Sequence, residues 1–506
     1  MSQGKGTRVL AVGIDAAEPT FVRELIERGE MPVLKSLLDG GAWLRVESGA
    51  HVGSGSVWPT FVTGTSPAEH GIYGEWAWQP ETMSLARFNA RSLKPFWEPL
   101  ADGGGLTVGV LDVPFGPLVG LTRGFEISEW GAHDTLEGRT EFAPASLAAV
   151  LNGKTGAHPF TLKHIDPAGP TDYGEMRRLS AACVEGARLR GALTERLMRE
   201  TRPDFVLAVF TEVHHGAHYG WHAVAPEHRF YEGDPFRGLR AVEPTLTDLY
   251  REVDRQVGRL AEAAGDGATV LVFSLHGMQP TRGIPTLLAP LLCELGWSRR
   301  ADISAQSWGG RALSLIAAAK RRTPVAVKKL YYKTLPKGAT YRLARPTMMP
   351  AYDWSRTRAF AVPTDQHGWI RVNLAGREAQ GIVPAAEYDE TCRRLEEAMR
   401  ALTTEDGRPL VREVIRTAPR TEDARALRLP DLILHWHDAA FDAPVRVKGT
   451  NVKAHPTGAK FTGQHGLEGF LILSGHESPP AGDHIAGKDL HRLILDALGR
   501  DHATKT

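Results

Sequence analysis

An α/β sandwich on a mainly parallel central sheet is the fold class this sequence predicts, and three observations predict it. Short apolar runs alternate with amphipathic helical patterns from the first residues onward. Several runs, among them residues 8–14, 204–210 and 268–273, are apolar nearly throughout, as strands covered on both faces must be. Polar, chemistry-bearing residues then follow the ends of those runs: Asp15 after the first, His214 and His218 after the second, His276 after the third. In open parallel sheets that is where ligands gather.

Taken in order, residues 1–7 are polar, 8–14 read as a buried strand, and 18–28 as a helix ended by Gly29. A second short helix over 31–38 is stopped by Gly40 and Gly41. A strand is expected at 106–113 and a largely helical stretch at 173–197, after a Gly-, Pro- and His-rich segment that wraps the active-site side of the sheet. Trp76, Trp78 and Trp97 suit either the walls of a pocket or the core. After the strand at 204–210, an amphipathic helix over 244–264 places Leu246, Leu249, Val253, Val257 and Leu260 on one side and leads to the strand at 268–273. Residues 296–350 turn basic, with Lys320, Arg321, Arg322, Lys328, Lys329 and Lys337 around short helices. Mixed strand and turn follow, then a helix over 387–402. Arg371 and Arg377 suit either a phosphate or carboxylate of the substrate or surface salt bridges. The run at 430–437 is expected to return to the core sheet, 469–474 to be its last strand, and 487–498 to close the chain as a helix. The organisation expected is a core over 7–295, an insertion or cap over 296–425, and a resumed core over 426–503.

At 506 residues the chain has ample length for a large core, and its 42% hydrophobic and 24% charged content is ordinary for a globular enzyme. A net charge of +1 gives no reason to expect nucleic acid or an acidic membrane as partner. No charged-then-apolar leader and no long uncharged apolar stretch is seen. The three cysteines, Cys183, Cys293 and Cys392, form no metal-spaced cluster and read as reduced. A cytoplasmic protein is therefore the expectation.

The stretch Ser54-Gly55-Ser56-Val57-Trp58-Pro59 reads as a tight turn feeding a short helix, and a hydroxyl there would lie near a helix N-terminus that favours anions. Read locally, an ordinary serine N-cap explains it equally, and Asp15 could likewise cap the helix that follows it. The histidines change the balance. His214, His215, His218 and His222 crowd one strand end, where unpaired burial is costly and a metal is a natural partner; His214 and His218 converge if the backbone turns helically. His276 follows a third strand, and His455 and His465 stand in a glycine-rich loop before the last.

Together these residues resemble the alkaline phosphatase superfamily, in its branch of type I phosphodiesterases and nucleotide pyrophosphatases. Gly13-Ile14-Asp15 matches that family's opening Gly-x-Asp. Thr63-Gly64-Thr65-Ser66-Pro67-Ala68-Glu69-His70-Gly71 fits its Thr-Gly-x-x-Pro-x-x-His-Gly motif, and Ser54 stands at the nucleophile's place. Gly463-Gln464-His465-Gly466 matches the terminal metal-binding histidine, and the region around Gly368-Trp369-Ile370-Arg371 resembles a bacterial subgroup. The resemblance implies an alkaline-phosphatase-like three-layer sandwich with an inserted cap. It further implies zinc, one ion on His214, His218 and His465 and a second on Asp15, Ser54 and His276, with Ser54 as the nucleophile that becomes phosphorylated. The helix N–H groups after Ser54 would hold the phosphoryl oxygens. The substrate implied is a small phosphoester or related anion, more a diester or nucleotide than a monoester.

Two departures qualify it. His214 stands where the family has an aspartate, and Leu275 stands where it has a second-metal carboxylate. The second site is thus short of ligands, with Glu212 and His51 as conceivable substitutes. Two alternatives remain open: a transferase using the same serine intermediate, and a binding protein on a decayed phosphatase fold. A sulfatase is disfavoured because Trp58 stands where that signature needs arginine.

Overall fold

The computed structural model describes residues 7–500 apart from 132–139, 152–156, 161–169, 171, 229–230, 232–241, 282–286, 302–322, 325–326, 328–347, 364–365, 419–420, 427, 438–444, 455–460 and 477–478. The basic cluster expected between Lys320 and Lys337, and His455, lie outside the described residues.

In chain order, β1 (Val9–Ile14), β2 (Gly41–Glu47), β3 (Val108–Leu111), β4 (Gly124–Ser128), β5 (Glu141–Ala143), β6 (Phe205–Phe210) and β7 (Thr269–Ser274) belong to a central sheet. A second sheet takes β8 (Ala359–Val362), β9 (Gly368–Val372), β10 (Val411–Arg416) and β11 (Leu432–Trp436), and β12 (Glu468–Ser474) and β13 (His484–Ala486) rejoin the first. The central sheet runs β13-β2-β12-β7-β1-β6-β3-β4-β5. Its pairings are parallel except at β2/β12, β12/β7 and β4/β5. This is the expected α/β sandwich with a mostly parallel sheet.

Helices cover both faces. On one side lie α1 (Pro19–Glu27), α2 (Pro32–Asp39), α4 (Tyr173–Thr201), α5 (Glu212–Gly220) and α6 (Leu246–Ala264); on the other lie α3 (Val57–Thr63) and α8 (Leu490–Ala497). Strand alternation divides β1 between them. Leu10, Val12 and Ile14 pack toward the first group, and Val9 and Ala11 toward the second. Every residue of β1, β6 and β7 is buried, which is why those strands carry no polar alternation. Local chemistry fixes helix starts: Glu18 accepts from Phe21 N–H at 2.5 Å, Asp172 from Glu175 N–H at 2.8 Å, and Thr245 forms a capping box with Asp248. Among the described residues no helix is long and apolar enough to cross a membrane.

The run at 430–437 does not return to the core sheet. Leu432–Trp436 is β11, antiparallel between β9 and β10 in the second sheet, ordered β8-β9-β11-β10. An apolar run announces burial but not which sheet buries it. One face of this second sheet packs on Leu288, Leu291 and Leu292 and on α7 (Tyr388–Arg400). Its other face, with Phe360, Val362, Trp369 and Ile433, packs on Val52, Tyr73 and Trp78 of the core. Arg371 and Arg377 are buried within it. They bind Glu378 at 2.8 Å each, and Arg377 also binds Asp431 at 2.7 Å. They hold the sheet together and are not surface salt bridges.

Candidate metal centre

The parallel strands deliver the site residues to one end of the sheet. Asp15 directly follows β1, and its N–H bonds the carbonyl of Phe210 at the end of β6 at 3.0 Å. β6 runs into α5, where His214 and His218, four residues apart, share one helical face. β7 ends just before His276. A two-stranded ribbon, Met278–Pro280 with Gly463–His465, sets His465 opposite Met278 and so carries a residue from late in the chain into the same place.

Three imidazole nitrogens meet there. His214 Nε2 lies 2.9 Å from His218 Nε2 and 2.7 Å from His465 Nε2, and the last two are 3.1 Å apart. The outward nitrogens of two of these rings face acceptors: His214 Nδ1 the Asp15 carboxylate at 2.7 Å, and His218 Nδ1 the carbonyl of Gly463 at 2.8 Å. Those contacts place the ring protons on Nδ1, so both Nε2 lone pairs face the common centre. Lone pairs aimed at one another repel, and a cation between them turns the repulsion into ligation. The donor set fits a metal ion, and its neutral nitrogens suit a transition metal such as zinc better than calcium or magnesium. Among the described residues this trio is the group of three whose ligand atoms lie within 4.8 Å of one another.

Asp15 and His276 border the trio without forming a second one. Asp15 is 2% exposed; Oδ2 meets His214 and Oδ1 accepts from Trp58 Nε1–H at 2.9 Å. His276 Nε2 lies 3.6 Å from Asp15 Oδ1, its Nδ1 is 3.0 Å from the carbonyl of Gly277, and its ring is 4.7 Å from that of His465. Leu275 is 1% exposed in the apolar cluster with Trp58, Phe273 and Leu471, so its side chain serves the core. Neither conceivable substitute supplies the missing ligand. Glu212 is fully buried against Arg190 Nε at 2.8 Å and His158 Nε2 at 2.8 Å. Burial pushes its carboxyl up, but the Arg190 charge and the His158 hydrogen bond outweigh that and hold it below the usual carboxylate range. His51 is exposed, with Nδ1 3.0 Å from the carbonyl of Ser48.

Ser54 begins a single 3-10 turn, Ser54–Ser56, which runs into α3. This is the tight turn feeding a short helix that the sequence suggests, but the residue directly ahead of α3 is Ser56, not Ser54, and its Oγ lies 2.6 and 2.8 Å from the carbonyls of Gly49 and Gly53. A seven-residue helix reached through such a turn offers little dipole for phosphoryl oxygens. What ties this segment to the centre is Trp58, four residues on, through its bond to Asp15. Gly13 leaves room for the ring: a Cβ there would lie 3.0 Å from the tip of the Trp58 indole. Trp78 and Trp97 are both buried in the core, Trp78 donating to Glu378 Oε2 at 3.0 Å; Trp97 borders a small cavity with Val110, Glu126 and Ile127 that none of the three histidines lines.

Sequence reasoning missed the supports. Arg190 lies fully buried, joined to Glu212 of the helix that carries His214 and His218 and, at 2.7 Å, to Asp112. A charged residue inside a long amphipathic helix was the available signal, but its partners are set only by the fold. His70 of the Thr-Gly motif is structural too: Nδ1 accepts from Ile72 N–H at 3.0 Å and Nε2 donates to Thr60 Oγ1 at 3.0 Å.

Fold and site together define a metal-dependent phosphodiesterase- or phosphatase-like hydrolase of a phosphoester-type substrate. The model of the type I phosphodiesterase / nucleotide pyrophosphatase family matches residues 9–466, and the chain belongs to that family, within the alkaline phosphatase superfamily. No curated protein matches the chain. Among solved structures it is similar to phosphonoacetate hydrolase from Sinorhizobium meliloti 1021 in complex with phosphonoacetate, at 16% identity and a TM-score of 0.50, covering 98% of this chain and 96% of that one. It is also similar to murine ectonucleotide pyrophosphatase / phosphodiesterase 5, an inactive variant in complex with AMP, at 12% identity and a TM-score of 0.45, covering 99% and 97%. The expectation of a cytoplasmic protein is corrected at this point. Three free cysteines, and the lack among the described residues of a helix long and apolar enough to cross a membrane, do not locate the chain.

Proposed function

We propose that the protein hydrolyses a phosphodiester or nucleotide-type substrate through Ser54, assisted by one tightly held zinc ion on His214, His218 and His465. The observation that carries this reading is the convergence of three Nε2 atoms at 2.7–3.1 Å with two of the rings already oriented from behind. The ion would supply Lewis-acid polarisation of a phosphoryl oxygen. At Asp15, Ser54 and His276 a second ion is at most weakly held, since Leu275 brings no carboxylate and Asp15 is engaged by His214 and Trp58.

The chain's own residues do the rest. Asp15 fixes the tautomer and ring plane of His214, and the carbonyl of Gly463 does the same for His218. Trp58 fixes Asp15 and, being four residues from Ser54, ties the nucleophile's segment to the centre. Ser54 Oγ displaces the leaving alcohol at phosphorus, and water then frees the phosphoryl group from the serine. The second sheet, packed on Val52 and Tyr73, acts as the cap over this end of the core.

Ser54→Ala tests the reading with bis(p-nitrophenyl) phosphate, AMP and phosphonoacetate as probes. Turnover should fall by about a thousandfold or more while metal content is unchanged, and wild-type enzyme quenched during turnover should show a phosphoryl-type mass adduct on Ser54. Wild-type turnover by Ser54→Ala would leave direct attack by water as the mechanism.

A further inference from the structure

Five consecutive backbone carbonyls lead up to Ser54, and each accepts a side-chain hydrogen bond. Those of Gly49 and Gly53 share the single hydroxyl proton of Ser56 from within the loop, with Oγ at 2.6 and 2.8 Å. The three between them are bound from outside, by the second sheet. His367 Nε2 lies 2.8 Å from the carbonyl of Ala50, His435 Nε2 2.7 Å from that of His51, and Trp369 Nε1–H donates to that of Val52 at 2.9 Å. The three side chains are 6%, 3% and 3% exposed. Trp369 and His435 lie on neighbouring strands and His367 directly precedes the first of them: Gly368 pairs with Leu434 and Trp369 with Ile433, so His367 and His435 flank the same end of that pairing, with rings 4.7 Å apart.

The loop is also pinched where it turns toward the serine. A Cβ on Gly53 would come within 2.2 Å of the carbonyl oxygen of Tyr73 and 2.7 Å of the Trp369 indole, and one on Gly55 within 2.6 Å of Gly74 Cα. The Tyr73 and Trp369 rings meet edge to face at 4.9 Å. A buried loop needs its carbonyls satisfied, but water or neighbouring backbone ordinarily does that. Here three ring N–H groups from a separate sheet bond three successive peptides, which fixes the orientation of each peptide plane and hence the path of the chain into residue 54.

We propose that His367, Trp369 and His435 are positioning residues that hold Ser54 at the metal centre, so that docking of the second sheet is a condition of turnover and not only of stability. The proposal rests on Ser54 being the nucleophile. A nucleophile about 1 Å out of place loses up to roughly a hundredfold in rate, whereas a ring that stays packed and loses only its donor leaves the rest of the fold as it was. Rate should therefore suffer more than folding.

The test uses metal-loaded full-length enzyme with bis(p-nitrophenyl) phosphate. His367→Phe, His435→Phe and Trp369→Phe each keep a ring and remove the donor. His435→Gln keeps an N–H near the place of Nε2. Each Phe variant should lower kcat about tenfold or more, with KM within about twofold and metal content unchanged. His435→Gln should recover most of the rate, and amide hydrogen exchange of residues 49–56 should quicken in the Phe variants alone. An inactive Ser54→Ala together with wild-type kcat in all three Phe variants would overturn the clamp and leave the nucleophile reading standing. Should Ser54→Ala keep its turnover, the nucleophile reading falls and the proposal with it; unchanged exchange over 49–56 overturns the clamp on its own. If a Phe variant at a histidine fails to fold, Trp369→Phe and His435→Gln carry the same test.

Discussion

Protonation of His70 should destabilise this protein well above the pH at which its carboxylates titrate. The imidazole is largely buried between α3 and the turn that follows it, accepting from Ile72 N–H and donating to Thr60 Oγ1. Both bonds demand the neutral ring with its proton on Nε2, and a charged ring would set a second N–H against that of Ile72. Burial holds the group down, from 6.5 to about 4, against a smaller opposing pull from Glu69. The unfolded chain takes up a proton near 6.5 that the native state refuses until about 4. Stability is thus fully present above 6.5, declines as pH falls, and levels off below 4. At about 1.4 kcal/mol per pH unit this gap corresponds to at most roughly 3 kcal/mol. His70→Asn keeps an acceptor near Ile72 but does not titrate. Urea unfolding of wild type and His70→Asn between pH 7.5 and pH 4 should show their stability difference shrinking toward acid by about 2–3 kcal/mol, and reversing if asparagine holds the turn well. A pH-independent difference would refute the reasoning.

Two further outcomes follow from the site. His214→Ala with His218→Ala removes two of three converging nitrogens, so metal retained after mild chelation should fall from about one ion per chain to almost none by element analysis; full retention would remove the assignment. Leu275→Asp sets an unpartnered carboxylate among Trp58, Phe273 and Leu471. It should lower stability by several kcal/mol, on the order of 3 or more, without adding a metal. A second ion in calorimetric titration, at wild-type Tm, would contradict this and restore Leu275 as a displaced ligand position.

The strands legible in the sequence were those buried on both faces. β1, β6 and β7 are uninterrupted apolar runs because helices cover each side, and no other element could bury them so completely. β2 was not legible. Gly-Ala-Trp-Leu-Arg-Val-Glu is only partly covered, with Arg45 and Glu47 exposed, and it follows glycines that read as a helix stop. The identities of the histidines were readable, because few structures tolerate so many beside a strand end. Their geometry was not: that Asp15 orients His214, or that Trp58 holds Asp15, depends on contacts spanning 199 and 43 residues. Leu275 was read as a gap in a second metal site; what the sequence did not show is that its side chain packs with Trp58, Phe273 and Leu471 in the core. Glu212 was offered as a replacement ligand because no local signal reveals Arg190 waiting behind it.

The placement of β12 has a consequence for how the protein comes into being. That strand lies between β2 and β7, so the two open edges it covers have no neighbour until Glu468–Ser474 has been made. His465 precedes it by only a few residues. A ribosome-bound chain can form β1, β6 and β7 and the helix bearing His214 and His218, yet it presents an unfinished seam and a two-nitrogen site. Metal capture and closure of the sheet are therefore coupled to the same late stretch of synthesis. With His214, His218 and His465 as the ligand set, a product truncated before residue 465 should lack both the third nitrogen and a sealed sheet.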